Sequence, residues 1–151
     1  MQYRLSVDLK DMELLASRLA PLLVVDDLIF LNGPPGAGKT TFISMLGNRL
    51  GVDEPMTSPT YAIINSYGSI MGPINHIDAY RLPESYDYSF IDDILKGSIT
   101  FLEWPANIPP IKDCSINLDF NYEKAEDRRT VSLSFIDRER GEAFWNEYFN
   151  N

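Results

Sequence analysis

One cysteine, Cys114, and one histidine, His76, are all that this chain has of those two residue types. A lone cysteine excludes an internal disulfide and suits a reducing compartment. A lone histidine excludes a histidine-rich metal centre, and any Ser-His-Asp triad would have to run through His76. Basic charge is also scarce. Lys and Arg total 13 against 22 acids, for a formal net charge of -9. A grip on the phosphate backbone of RNA or DNA needs clustered cations, and the one tight basic pair is Arg128-Arg129. A direct, tight grip on nucleic acid is therefore not expected of the isolated chain, and a basic partner could still bring the two together. No apolar run approaches the ~18 residues that span a bilayer. The start, MQYRLSVDLKDM, lacks a basic segment followed by an apolar one, so no secretory leader is expected. A chain of 151 residues is read as one domain over residues 1–151, placed in the cytoplasm.

What is present is patterned. Tyr3 to Val7 is a candidate strand, and Asp8 is a candidate N-cap with Asp11 in the first turn. Leu9, Met12, Ala16, Leu19 and Leu23 follow at helical spacing, with Pro21 placed to bend or end that helix. Leu28-Ile29-Phe30-Leu31 is a continuous apolar run, expected of a strand buried on both faces. A glycine-rich loop follows, then a helix from about Lys39 to Leu50 that buries Phe42, Ile43, Leu46 and Leu50, with Gly51 at a left-handed cap position. Further strands are expected from Tyr61 to Tyr67, Pro73 to Tyr80, Ser98 to Glu103, Ser115 to Tyr122 and Thr130 to Ile136. The first two of these read as an antiparallel pair, and so do the last two. Glu84 to Leu95 reads as a loose helix or loop. Asp137 to Asn151 is a terminal helix expected to bury Phe144, Trp145 and Tyr148. The fold class is α/β, a P-loop domain with a mixed parallel and antiparallel sheet flanked by helices.

Gly33-Pro34-Pro35-Gly36-Ala37-Gly38-Lys39-Thr40 matches the phosphate-binding pattern G-x-x-x-x-G-K-[ST] at every fixed position. Glycines let backbone N–H groups converge on an anion without Cβ clashes. The helix N-terminus adds unpaired donors and the positive end of its dipole. Pro34 and Pro35 offer no N–H, so the nest proper begins at Gly36 and runs through Ala37 and Gly38. Lys39 is placed to reach the β and γ phosphates, the Thr40 hydroxyl to ligate Mg2+, and Thr41 to touch an α phosphate.

Such a loop needs an acid across from it, commonly at the end of an adjacent apolar strand. Ile99-Thr100-Phe101-Leu102-Glu103 has that form, though a strand-ending glutamate is as readily a surface charge. In His76-Ile77-Asp78-Ala79-Tyr80, strand geometry turns His76, Asp78 and Tyr80 to one face and Ile77 and Ala79 to the other. A polar strand face is usually solvated, and Asp78 is alternatively a group that orients Mg2+ or water. Thr57-Ser58-Pro59-Thr60 is a hydroxyl-bearing loop stiffened by proline.

Four motifs in order resemble those of the TsaE family: Gly33 to Thr41, Ser58 to Tyr61, His76 to Leu82, and Leu102-Glu103-Trp104-Pro105. These are small bacterial ATPases of tRNA threonylcarbamoyladenosine synthesis. The resemblance implies ATP or ADP and Mg2+ as cofactors, and weak ATPase activity that partners raise. It implies TsaB and TsaD type proteins as those partners, with tRNA met only through the complex. By position it makes Thr40 and Glu103 the Mg2+ ligands, and Asp78 a residue orienting water or a Mg2+ shell. It makes Ser58-Pro59-Thr60 a nucleotide-responsive loop and puts Trp104 near the nucleotide. It also puts Arg129 there, with Arg128 the alternative match. The chain departs from the family's usual residues at Pro34-Pro35 and over residues 83–93. Two other functions fit the loop alone. One is a small-molecule kinase, although the region from Asn65 to Asp93 holds only Arg81 for a lid. The other is a non-hydrolysing ATP/ADP-sensing module. No guanine-reading N-K-x-D sequence is present, which favours adenine.

Overall fold

A computed structural model of the chain describes residues 2–59, 63–82 and 85–150. The first strand, β1 (Gln2–Val7), alternates exposed and buried positions along its length. Helix α1 (Leu9–Leu19) starts at Asp8, whose carboxylate accepts from the Asp11 N–H at 2.8 Å while Asp11 accepts from the Asp8 N–H at 3.1 Å. This reciprocal box satisfies two donors that a helix start leaves open. Met12, Leu15, Ala16 and Leu19 form its buried stripe. The α-helix ends two residues before Pro21, and a single 3-10 turn over Ala20–Leu22 carries the chain on. Proline supplies no N–H and its ring clashes with a preceding carbonyl, so the shorter helix is the expected compromise.

Strand β2 (Leu28–Asn32) leads into the glycine loop and α2 (Lys39–Arg49). Then come β3 (Ile64–Tyr67), β4 (Ile74–Asp78), the short α3 (Ile91–Leu95), β5 (Ile99–Glu103), β6 (Ile116–Tyr122), β7 (Arg129–Phe135) and α4 (Arg138–Phe149). One sheet holds all seven strands in the order β1-β7-β6-β2-β5-β4-β3. The four central strands β6, β2, β5 and β4 are mutually parallel, and β7, β1 and β3 add antiparallel edges. This is the mixed sheet expected from the sequence. The paired runs are antiparallel neighbours as expected, with β4 confined to Ile74–Asp78. The expected strand from Tyr61 appears from Ile64, and Tyr61 itself lies outside the described residues. Of the segment from Glu84 to Leu95, only one turn of helix forms among the described residues.

Alternation along the strands splits the core. Ile29, Leu31, Phe101, Leu118 and Phe120 face α1 and α2, where Phe42, Ile43 and Leu46 meet them. Leu28, Ile77, Ala79 and Leu102 face the other way, against Ile91, Leu95 and Ile108. A strand covered on both faces reads as a continuous apolar run, which is why β2 and β5 do.

At α4 one expectation is corrected. Phe144 is fully buried and Tyr148 packs partly against the core, but Trp145 keeps 42% of its surface exposed. Gly141 and Phe144 are the buried positions of α4. Trp145 lies to one side of them, stacking on the Tyr3 ring at 4.8 Å and packing on the Phe149 ring at 4.0 Å. Polar contacts complete the docking of α4. Tyr3 donates its hydroxyl to the Gly141 carbonyl at 2.8 Å. Arg140 meets the buried Asp27 with two nitrogens, at 2.9 and 2.6 Å, and also reaches the Leu22 carbonyl at 2.8 Å. The fork fixes α4 to the loop that launches β2.

Removing one partner of a buried pair strands the other's charge, at a cost of about 3 kcal/mol. Asp27→Ala is therefore expected to lower unfolding free energy in urea by about that amount. The double change Asp27→Leu with Arg140→Met is expected to cost less than Asp27→Ala alone. Equal or larger loss in the double variant would show that the pair contributes as packing rather than as charge.

Candidate active site at the ends of the parallel strands

Parallel strands deliver their C-terminal ends to one edge of the sheet, where open α/β folds place their ligands. Register sets which residues meet there. Glu103 lies beside Leu31 on one side and Asp78 on the other, and Asn32 lies beside Asp119. The glycine loop leaves β2 at this edge, between β5 and β6. Gly33 has φ +140, and a Cβ there would sit 2.4 Å from the Phe120 carbonyl oxygen. The loop can thus hug β6 only with glycine at this position. Gly36 and Gly38 also have positive φ, at 77 and 105. The two prolines supply acceptors where they lack donors. The Pro34 carbonyl takes the Ala37 N–H at 3.2 Å, and the Pro35 carbonyl takes the Tyr122 hydroxyl. Ala37 is accordingly turned inward and buried. From Gly38 the chain enters α2, whose first intrahelical bond is Phe42 N–H to Gly38 carbonyl at 2.9 Å. The N–H groups ahead of Phe42 lack helical acceptors by construction, and they lie at the positive end of the helix dipole.

A cleft of about 340 Å³ opens over this helix start, lined by Gly36, Gly38, Lys39, Thr40 and Thr41 together with Asp78, Tyr80, Glu103 and Trp104. Lys39 is 4% exposed. Its ammonium donates to the Gly33 and Pro34 carbonyls at 2.5 and 3.0 Å and stands 4.6 Å over the Trp104 ring. Burial pulls the Lys39 pKa down, and the Glu103 and Asp78 carboxylates pull it back up. Burial pushes Asp78 the other way, above the ordinary aspartate range, with Glu103 adding to the rise. The Tyr80 N–H, donated to Asp78 at 3.0 Å, opposes it.

Glu103 is not a surface charge. It is 3% exposed. Thr40 Oγ1 lies 3.2 and 3.1 Å from its two oxygens, and His76 Nε2 lies 2.6 Å from Oε2. Ser58 Oγ is 2.8 Å from the same Thr40 oxygen. Thr40 has a single hydroxyl proton. If Glu103 takes it, Ser58 donates to Thr40, and the order of donation is Ser58, Thr40, Glu103. The polar face of β4 is therefore not the solvated face that its residue types suggest. His76 is fully buried, pointing with Asp78 toward α2, while Tyr80, past the strand end, is 46% exposed.

Trp104 is reached by an uncommon backbone. Its φ of 59 is left-handed, which disfavours a bulky residue. Pro105 behind it disfavours the right-handed helical alternative. The turn brings the indole over Lys39 and within 4.8 Å of the Tyr80 ring. The two arginines separate. Arg128 binds Ser6 and Asp11 at the start of α1. Arg129 lies 4.7 Å over the Tyr122 ring, the ring that touches the loop at Pro35. It flanks the loop from the β6 side rather than lining the cleft.

Lys39, Thr40, Asp78, Glu103 and Trp104, all singled out from the sequence, line one cleft. Sequence reasoning gave no place to Tyr122, and none to His76 as a partner of Glu103. Tyr122 had a faint signal, as an aromatic at the C-terminal end of a strand. The contact of His76 depends on β4 lying next to β5, which spacing along the chain does not reveal.

Mg2+ takes oxygen ligands, usually one or two from protein and the rest from phosphate and water. A hydroxyl and a buried carboxylate 3.1 Å apart at the start of α2 fit that donor set. No cluster of three or more His, Cys, Asp or Glu suited to a metal occurs among the described residues. A cation held here would therefore share its shell with phosphate oxygens.

The family model for the threonylcarbamoyl adenosine biosynthesis protein TsaE matches residues 6–131. That match ends inside β7 and leaves α4 outside. The tRNA threonylcarbamoyladenosine biosynthesis protein TsaE of Aquifex aeolicus is 38% identical over 121 residues, 79% of this chain and 85% of that protein. The protein of the same name from Streptomyces coelicolor is 42% identical over 95 residues, 60% of this chain and 64% of its own. The crystal structure of Bacillus subtilis YdiB superposes with a TM-score of 0.70 at 20% identity, covering 97% of this chain and 94% of that one, which bears on the fold. On the length and identity of these matches, the chain belongs to the TsaE family.

Proposed function

We propose that this protein binds ATP and ADP with Mg2+ at the cleft over α2. Hydrolysis of ATP there would support turnover of the machinery that makes tRNA threonylcarbamoyladenosine. The carrying observation is the contact of the Thr40 hydroxyl with the buried Glu103 carboxylate at the helix start. In this reading the N–H groups of Gly36, Gly38, Lys39, Thr40 and Thr41 and the helix dipole hold the phosphates, while the Ala37 N–H stays with the Pro34 carbonyl. Lys39 exchanges its two carbonyl partners for phosphate oxygens, a stronger charge-assisted set. Thr40 and Glu103 would hold Mg2+, which would offset the charge of the phosphates and act as a Lewis acid on them. Asp78 accepts a hydrogen bond from the attacking water or a water of the metal shell. Trp104 flanks the nucleotide, Arg129 stands beside the glycine loop through Tyr122, and Ser58, bonded to Thr40, couples the loop before Pro59 to occupancy of the site.

Partners of the TsaB and TsaD type complete the assembly, and tRNA is met through them. The acidic surface supports this division, since a net charge of -9 works against direct capture of RNA. No helix among the described residues is long and apolar enough to cross a membrane. We place the work in the cytoplasm, beside the tRNA.

Lys39→Ala is expected to weaken ATP binding by about ten- to a hundredfold in calorimetry, the worth of a charge-assisted bond. Glu103→Gln is expected to keep metal-free nucleotide binding while phosphate release loses its Mg2+ dependence. Adding cognate TsaB and TsaD type proteins should raise turnover and yield a complex in gel filtration. Neither stimulation nor co-elution would remove the proposed assembly, and unchanged affinity in Lys39→Ala would remove the site.

Asp78 supplies a separate check through stability. Its pKa is raised in the folded state. A raised carboxylate favours folding below its unfolded pKa, and that gain is lost as pH rises through the folded pKa. At neutral pH the ionised group is therefore a burden on the fold. Asp78→Asn is expected to raise the melting temperature at pH 7 and to lose that advantage below about pH 3.9, the unperturbed aspartate value, while turnover falls. A lower melting temperature at pH 7 would mean that Asp78 is held by structure rather than for chemistry.

A further inference from the structure

His76 is the one histidine in the chain, is fully buried, and has no part in the site as proposed so far. It sits in the middle of β4, opposite Phe101 of β5, and its ring points to the side of the sheet that carries α2. Nε2 is 2.6 Å from Glu103 Oε2. Nδ1 has no hydrogen-bond partner among the described residues. These facts together define the ring. An ionised carboxylate accepts only, so Nε2 must carry the hydrogen. A buried N–H without a partner costs more than a bare lone pair, so Nδ1 stays unprotonated. The ring is thus read with its hydrogen on Nε2 and a bare lone pair on Nδ1.

We infer that His76 is the positioning residue of Glu103, and that it sets the site's affinity for a divalent cation without touching cation or phosphate. The inference rests on the reading of Thr40 and Glu103 as the metal-binding pair. A glutamate has three side-chain torsions, and at the end of a strand it has many ways to turn. His76 takes one oxygen, Oε2, with a short bond from a fully buried ring. This fixes the carboxylate plane edge-on to Thr40, whose Oγ1 lies 3.2 Å from Oε1 and 3.1 Å from Oε2. Groups that orient a metal's ligands in this manner commonly change metal affinity or activity by about 10- to 100-fold when lost.

The solitary histidine makes the test direct. In nitrogen-15 NMR the chain gives one imidazole. The expected spectrum is the Nε2–H form with Nδ1 unprotonated, and the Nε2 signal should move on adding ADP with Mg2+ but little with ADP and EDTA. An Nδ1–H form, or a response identical with and without metal, overturns the inference even if no variant folds. Two variants extend it. His76→Leu removes the donor, and the Mg2+ concentration for half-maximal metal-dependent ADP binding should rise about 10- to 100-fold. Metal-free ADP affinity should stay within about threefold, because His76 acts on a ligand of the metal alone. His76→Gln keeps an N–H near the place of Nε2 and should recover most of the metal affinity. If metal-free and metal-dependent binding fall together, or Gln does no better than Leu, His76 is only a packing residue. Wild-type protein with no Mg2+ dependence at all would instead defeat the metal-binding pair itself, so the two failures are distinct.

Discussion

A carboxylate taken out of water is the constraint around which this molecule is arranged. Glu103 ends β5 nearly buried, and an ion in that position costs several kcal/mol unless donors surround it. Its donors come from separate places: Thr40 from the first turn of α2, and His76 from the middle of β4. Ser58 adds a further link through Thr40. A single charged group thus ties a helix start, two strands and a loop. Each of these elements must be correctly seated for the charge to be tolerated. The apolar layers do that seating, with Phe42, Ile43 and Leu46 clamping α2 to one face of the sheet and Ile91 and Leu95 packing on the other.

The parallel order of the centre follows from the same need. In a parallel pair both strands end at the same edge, so acids that close β4 and β5 arrive beside the loop that closes β2. An antiparallel arrangement would send one of them to the opposite edge. The antiparallel strands are accordingly kept to the outside, where β7 and β1 widen the sheet and β3 covers β4. None of the three brings a candidate catalytic acid. Arg129, at the start of β7, reaches the loop only through the ring of Tyr122.

How legible this was in the sequence differs by residue, for physical reasons. The glycine loop was legible because its chemistry is local: Gly33, Gly36 and Gly38 have the positive φ that such a turn demands. The buried runs of β2 and β5 were legible because a strand covered on both faces has no polar alternation to hide it. The environment of Glu103 was not, because Glu103 and His76 are 27 residues apart and meet only through strand pairing. Residue type misled at His76 for the same reason. A polar residue on a strand face is normally solvated, and here α2 covers that face. Trp145 misled in the opposite direction, since an aromatic at helical spacing was assigned to the core when it stacks on the face of Tyr3 and stays partly exposed. Spacing gives the side of a helix, whereas neighbouring elements decide how far that side is covered.

Departures from ordinary protein chemistry gather within a few residues of one another. Lys39 is held below its usual pKa by burial, and Asp78 is held above its own. Trp104 keeps a left-handed backbone, which costs a bulky residue about 1–2 kcal/mol. Each is unfavourable alone, and the charges of Lys39 and Asp78 offset one another in part. The left-handed turn brings the indole over the lysine. The lysine charge draws Asp78 back toward its ionised form, and Asp78 supports the charge of the lysine in return. Strain that served only the fold would be spread along the chain and relieved by drift of neighbouring residues. Strain concentrated at the edge where three parallel strands and a helix N-terminus converge is what a preorganised phosphate site requires. The Asp27–Arg140 fork, the Asp8–Asp11 box and the apolar stripes of α1 and α2 follow common stabilising rules, and their surplus is what lets Glu103, Lys39, Asp78 and Trp104 remain in positions that none of them would adopt unaided.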